Sequence, residues 1–218
     1  MIVLNGNLTV KGGGSLTLRN VTLRLNVEEN GQYGISVEPG GSMFIYDSNI
    51  SSTTAFRFFF SVVEGRFVMK NSELRGAGWG EQWNARDVKK RGLYIQADNA
   101  LIDGNFISEG HNVWLDFDSR NSSVINNRVM TYYGIALDGR HNFVLNNSIY
   151  EPLGFGIQVV CDDSVISNNV IFNPKDGVGV GAFESWNNTV TNNRIIVEHH
   201  VDPLRSPHTG IWIRAGCG

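Results

Sequence analysis

The chain has 218 residues, enough for one large core, and all-β folds of this size commonly form a single unit. Eighteen basic residues against 21 acidic ones leave a formal charge of -3, without the basic excess by which a protein holds nucleic-acid phosphates. No apolar run reaches membrane-spanning length, because Arg57 interrupts the most hydrophobic piece, AFRFFFSVV, so a soluble chain with no membrane span is expected.

The first ten residues, MIVLNGNLTV, read directly as strand and carry no basic leader or small-residue cleavage site. The next segments, GGSLTLRNV from Gly13 and GGSMFIYDS from Gly40, align residue for residue at a separation of 27. A short motif then recurs as GISV, GLYI, GIAL, GIQV, GVGV and GIWI, opening at Gly34, Gly92, Gly134, Gly156, Gly177 and Gly210. Its apolar residues alternate with small or polar ones, the period-2 signature of a strand with one buried face. A second landmark moves with it: the adjacent amides in SVINNRVM, FVLNNSIY, SVISNNVIF and TVTNNRII. Their first asparagines, Asn126, Asn146, Asn168 and Asn192, are 20, 22 and 24 residues apart, and the register continues upstream through Gly104, Asn71, Asp47 and Asn20.

A unit of about 22 residues with three short strands cannot bury its own apolar face, but stacked units form one continuous core. The amides then stack as well, each hydrogen-bonding its neighbours at the strand spacing of about 4.8 Å, so the asparagines turn the chain and lock the coils in register. Two segments break the period, 76–91 and 198–209, and insertions of this kind commonly build a binding face. The chain ends at GIWIRAGCG, partway into a unit, so a single domain over 1–218 that belongs to a longer protein with further repeats is expected.

These units resemble the right-handed parallel β-helix repeat of pectate-lyase-like proteins, of carbohydrate-binding and sugar-hydrolase repeat domains, and of NosD-type periplasmic accessory proteins. The resemblance covers nearly the whole chain from about Leu16 and implies an all-β solenoid of about eight coils. It specifies a scaffold and carries no chemistry of its own.

Alternation after each glycine points Leu93, Ile95, Val113, Leu115, Ile135, Leu137, Ile157, Val159, Val178, Val180, Ile211 and Ile213 inward. The outward second position then gives Tyr94, Trp114, Ala136, Gln158, Gly179 and Trp212, and the outward fourth gives Gln96, Asp116, Asp138 and Val160. Flat rings beside carboxylates suit a sugar, the rings stacking on the pyranose and the acids reaching hydroxyls. Tyr94, Trp114, Gln96, Gln158 and Trp212 are therefore candidate substrate-binding residues, with packing against the insertion carrying Trp79 and Trp83 as the competing reading. Asp116 and Asp138, one coil apart, stand about 5 Å from each other by strand spacing, close enough to split their pKa values as glycoside hydrolysis requires.

The sixth position stacks Asp98, Asp118, Arg140 and Asp162 as an electrostatic ladder. The same set resembles a lyase-like arrangement, in which Asp118 and its neighbours hold Ca²⁺ against a uronate and Arg140 or His141 removes the C5 proton. Calcium is the one cofactor this implies. His199, His200 and His208 with Asp202 are candidate metal ligands for a NosD-like delivery role, and Cys161 and Cys217 lie too far apart for a disulfide. Six Asn-x-Ser/Thr sequences, at Asn7, Asn20, Asn49, Asn121, Asn146 and Asn187, suit an extracellular or surface protein. The functional expectation is a secreted or surface module that binds, and in the stronger form cleaves, a polysaccharide. The alternatives are a structural or adhesive segment and metal delivery.

Overall fold

The computed structural model describes residues 1–80, 87–174, 176–180, 185–197 and 209–213. The chain winds through three parallel sheets, each coil giving one strand to each, so that sheets of nine, nine and eight strands enclose a single apolar core. The glycine-led motifs form the second sheet, in which Leu93 of strand Leu93–Gln96 faces Phe60 on one side and Val113 on the other. The residues leading into the amide pairs form the third sheet, and those following them form the first. Parallel strands connected this way leave every strand but those at the two ends hydrogen-bonded on both sides.

The period-2 reading of the core holds. Leu93, Ile95, Val113, Leu115, Ile135, Leu137, Ile157 and Val159 are all buried, as is Val178, whereas Ile211, on the edge strand Thr209–Ile213, is half exposed. Phe58, Phe60 and Phe67 add bulk in the coils before the first insertion. Besides strands, the described residues contain one short 3₁₀ turn, Val88–Lys90.

The paired asparagines divide two tasks. The first of each pair, Asn126, Asn146, Asn168 and Asn192, sits in the left-handed region with φ of 58°, 57°, 58° and 55°, a conformation asparagine tolerates better than most residues. Asn20, Asp47 and Asn71 repeat it upstream, and Gly104 takes the same place at 68°. The second residue builds the ladder. The Nδ2 atoms of Asn105, Asn127, Asn147 and Asn169 each donate to the Oδ1 of the next asparagine at 2.9–3.0 Å, ending on Asn193. Each of those Oδ1 atoms also accepts the backbone N–H of the coil before. Ser48 and Ser72 extend the column with hydroxyls. A second column, Ser122, Asn142, Ser164 and Asn188, does the same at the turn between the second and third sheets.

Candidate functional site

The outward columns of the second sheet fall as alternation requires. Tyr94 pairs with Trp114, Trp114 with Ala136, Ala136 with Gln158, Gln158 with Gly179, and Gly179 with Trp212. The side chain of Trp212 lies outside the described residues, as do Trp83, Cys217 and the histidine-bearing stretch 198–208.

Outward does not mean exposed. Tyr94 and Trp114 are each only 2% accessible and form a second small cluster with Ala136, outside the main core. Of the two readings of this face, packing under the first insertion holds and the open aromatic face is corrected: Arg91, at the end of that insertion, lies across these rings. The insertion's backbone closes on itself where the N–H groups of Trp79 and Gly80 donate to the Lys90 carbonyl, and Asp87 caps the 3₁₀ turn. This delivers Arg91, whose guanidinium lies 3.9 Å from the Trp114 ring centre and 5.7 Å from that of Tyr94. A cation on an aromatic face at that range is attractive and excludes water from the rings. Neither ring has a free face for a sugar.

What the two aromatics hold is a pair of carboxylates. The Tyr94 hydroxyl donates to Asp116, whose other oxygen lies 3.8 Å from Arg91. The Trp114 Nε1–H donates to Asp138 at 2.8 Å. Both acids are more than nine-tenths buried. Burial lifts the Asp138 carboxyl from 3.8 to about 7, with the nearby charge of Asp116 adding to the lift, while the Trp114 hydrogen bond and the Arg91 charge oppose it. Burial likewise raises the Tyr94 phenol, and its hydrogen bond to Asp116 adds to this.

A cleft of about 360 Å³ opens beside Asp138, lined also by Phe117, Asp118, Arg120, Arg140, Val160, Cys161 and Asp162. Its origin is a difference in coil length. Leu115 pairs with Leu137 at a separation of 22, but Arg120 bridges to Arg140 at 20, so the turn Asp116–Ser119 carries two residues that its successor lacks. The extra residues are Phe117 and Asp118, and Phe117 is 66% exposed. Gly139 sits beneath this longer turn, where a Cβ would come within 2.0 Å of the Ser119 carbonyl.

This corrects the expected sixth-position ladder. Arg120, not Asp118, stacks on Arg140, and Arg140 stacks on Asp162, with its Nε 3.3 Å from the carboxylate. Asp118 instead accepts a 2.9 Å hydrogen bond from Gln96. Among the described residues no three acidic, histidine or cysteine side chains converge on one point. His141 occupies a left-handed turn at φ 55° and faces Asp163 at 3.7 Å, outside the cleft lining. Burial pushes the Cys161 thiol up to about 12, too high for a thiolate nucleophile near neutral pH.

Arg91, Phe117 and Arg120 went unmarked in the sequence. The signal for Phe117 was present: the turn-opening residue and the left-handed residue are 12 apart in the coils beginning at Gly92, Gly134 and Gly156, but 14 apart from Asn112 to Asn126. The two added residues, Phe117 and Asp118, both line the cleft.

A family model for the right-handed beta helix region matches residues 6–218, and the chain belongs to that family. A search of curated proteins finds no match. Among solved structures, HetL, a pentapeptide repeat protein involved in heterocyst differentiation regulation from the cyanobacterium Nostoc sp. strain PCC 7120, aligns over 88% of this chain and 87% of its own at 8% identity. Its TM-score is 0.23.

Proposed function

We propose that this β-helix binds a polysaccharide in the cleft between Phe117 and Asp162 and that Asp138 acts there as a proton donor. The observation that carries the reading is the lining itself: an exposed aromatic ring, a shielded carboxyl and the Arg140–Asp162 pair, all opening into one space. A ring standing proud of a turn gives a pyranose an apolar face to stack on. Carboxylates and guanidinium groups around it offer acceptors and donors to sugar hydroxyls. Burial raises the Asp138 carboxyl to about 7, so a protonated fraction persists near neutrality, which suits donation to a glycosidic oxygen. Asp116, held by Tyr94 and Arg91, acts by keeping Asp138 protonated rather than by meeting substrate.

A secreted or surface location accompanies this reading, since the acceptor asparagines Asn20, Asn121, Asn146 and Asn187 are exposed. Among the described residues no helix is long and apolar enough to cross a membrane.

The test is a panel of neutral and acidic oligosaccharides titrated against the purified chain, with tryptophan fluorescence as the reporter because the Trp114 indole bonds to Asp138 and the Trp186 backbone N–H to Asp162. Phe117→Ala should weaken the best ligand about three- to tenfold, the size of one lost stacking contact. Asp138→Asn should leave binding in place and abolish cleavage. If no saccharide binds, the reading fails and the chain is a structural segment. If ligands bind but Asp138→Asn turns over normally, the donor role alone fails.

A further inference from the structure

A second cleft lies far from Asp138 in the sheet order, on the outer face of the first sheet. It measures about 440 Å³ and is lined chiefly by Arg24, Arg57, Arg75, Ser51, Thr54 and Phe56, with Glu109 at its edge. Arg24 projects outward from strand Thr22–Leu25, and Ser51 stands beside it in register on Asn49–Ser52. Three guanidinium groups against one carboxylate make this a positive spot on a chain of net charge -3.

The acid is already engaged. Glu109 forms a short ion pair with Arg75, which also lies 3.8 Å from Glu73. Arg24 and Arg57 have no acidic partner among the described residues. Two uncompensated guanidinium groups around one cavity repel each other, and an anion placed between them removes that repulsion while supplying acceptors for their forked donors.

The cavity wall is built rather than incidental. The turn after Ser52 is fixed by its own side chains. Thr54 Oγ1 donates to the Val27 carbonyl at 2.7 Å, Ser52 Oγ accepts the Thr54 N–H, and Thr54 Oγ1 accepts the Phe56 N–H. The next residue is pinned across the coil, the Arg57 N–H donating to Asn30 Oδ1 at 2.8 Å and its carbonyl accepting from Gly31. Phe56 thus stands 44% exposed at the rim, held there by the turn.

We propose that this cleft binds an oxyanion, a sulfate ester, phosphate ester or carboxylate, carried on a sugar-sized group that lies against Phe56. Arg24 and Arg57 take the anion, and the Ser51 hydroxyl adds a neutral donor. The site is separate from the Asp138 cleft and does not rest on its assignment.

The test uses one sugar in four forms: glucose, glucuronate, glucose 6-sulfate and glucose 6-phosphate, titrated by calorimetry and by NMR shifts of the Ser51–Arg57 amides. At least one charged form should bind saturably, at least about tenfold tighter than glucose, and more weakly as salt rises. The tightest form identifies which oxyanion the site takes. Arg24→Gln with Arg57→Gln should reduce that affinity about tenfold or more, and Ser51→Glu should abolish it, while Phe117→Ala should leave it unchanged. Arg24 is exposed, so its single variant retains the fold and serves as the check on the double one. The proposal is overturned if no charged form saturates, if glucose binds equally well, or if Arg24→Gln leaves the affinity as it was.

Discussion

Replacing Asn147 with alanine tests whether the buried amide column or the turn before it holds the coils in register. In the folded chain Asn147 Nδ2 donates to the Val124 carbonyl at 2.8 Å and to Asn169 Oδ1 at 2.9 Å. Its Oδ1 accepts the Asn127 backbone N–H at 2.9 Å and Asn127 Nδ2 at 3.0 Å. Alanine removes all four bonds. The Asn127 backbone N–H is stranded in a place that is 2% accessible, Asn127 Nδ2 keeps only its bond to the Ile102 carbonyl, and the Val124 carbonyl loses a donor; each stranded buried group costs about 1–3 kcal/mol. Asn169 Oδ1 keeps the Asn147 backbone N–H, so its loss is partial. The expected destabilisation is about 3–5 kcal/mol, a large share of the roughly 5–15 kcal/mol that holds a typical domain. Asn146→Ala is the control. Asn146 is exposed at φ 57° with one long amide contact of 3.4 Å, so it should lose only the preference for a left-handed backbone, about 1 kcal/mol. Urea unfolding of both variants beside the parent reads the difference, and a changed slope would report separate unfolding of the coils on either side. Equal losses at the two positions, or a loss under about 1 kcal/mol at Asn147, would refute the division of labour.

The pH dependence of stability should carry the mark of Asp138. Unfolded, its carboxyl releases its proton near 3.8, and folded it retains it to about 7, so between those values the folded state binds more protons and stability falls as pH rises. The contribution is full below about pH 4 and gone above about pH 7, with an upper bound of about 4 kcal/mol. Asp138→Asn should flatten that slope in thermal melts and melt higher than the parent at pH 8, since an asparagine Oδ1 still accepts from Trp114. Arg91→Ala should cost about 1–3 kcal/mol and red-shift Trp114 emission, because it removes a cation from the ring face and the partner of a buried carboxylate; unchanged emission would mean that Arg91 does not shield the indole. Gly139→Ala should cost at least about 2 kcal/mol in urea unfolding, because its Cβ would meet backbone, not a movable side chain. Deleting Phe117 and Asp118 together should restore the shorter coil, preserve the far-UV spectrum and eliminate saccharide binding.

The fold was legible because a solenoid writes its geometry into one repeated spacing. Glycine-led strands and amide pairs advanced together, and the inward residues followed from alternation alone. The amide ladder was legible in kind but not in which asparagine carries it. The column traced through Asn20, Asp47, Asn71 and Gly104 is the left-handed one, and the ladder lies one residue later, through Ser48, Ser72 and Asn105. Serine and asparagine share that inner column because each offers an acceptor to the N–H of the preceding coil, an equivalence that a search for repeated asparagines passes over. The burial of Tyr94 and Trp114 was legible only as one of two readings, packing under the first insertion or an open groove, since periodicity gives the face a side chain takes and does not say what a distant insertion lays over it.

The same distinction explains where chemistry can arise on this scaffold. In a strictly periodic coil every outward residue has the same neighbours as its counterparts above and below, so its environment is that of a solvated sheet face. Departures from the period break that equivalence. The insertion ending at Arg91 buries two aromatics and through them two carboxylates, and that burial makes Asp138 unlike the exposed acids around it. Two residues added after Asp116 lift a ring into solvent and open a space beside that altered acid. Neither change suffices alone: without the cover Asp138 would be a surface carboxylate, and without the longer turn no cleft would open beside it. The two irregularities fall on neighbouring coils, so the register that holds the core also brings them to a single place.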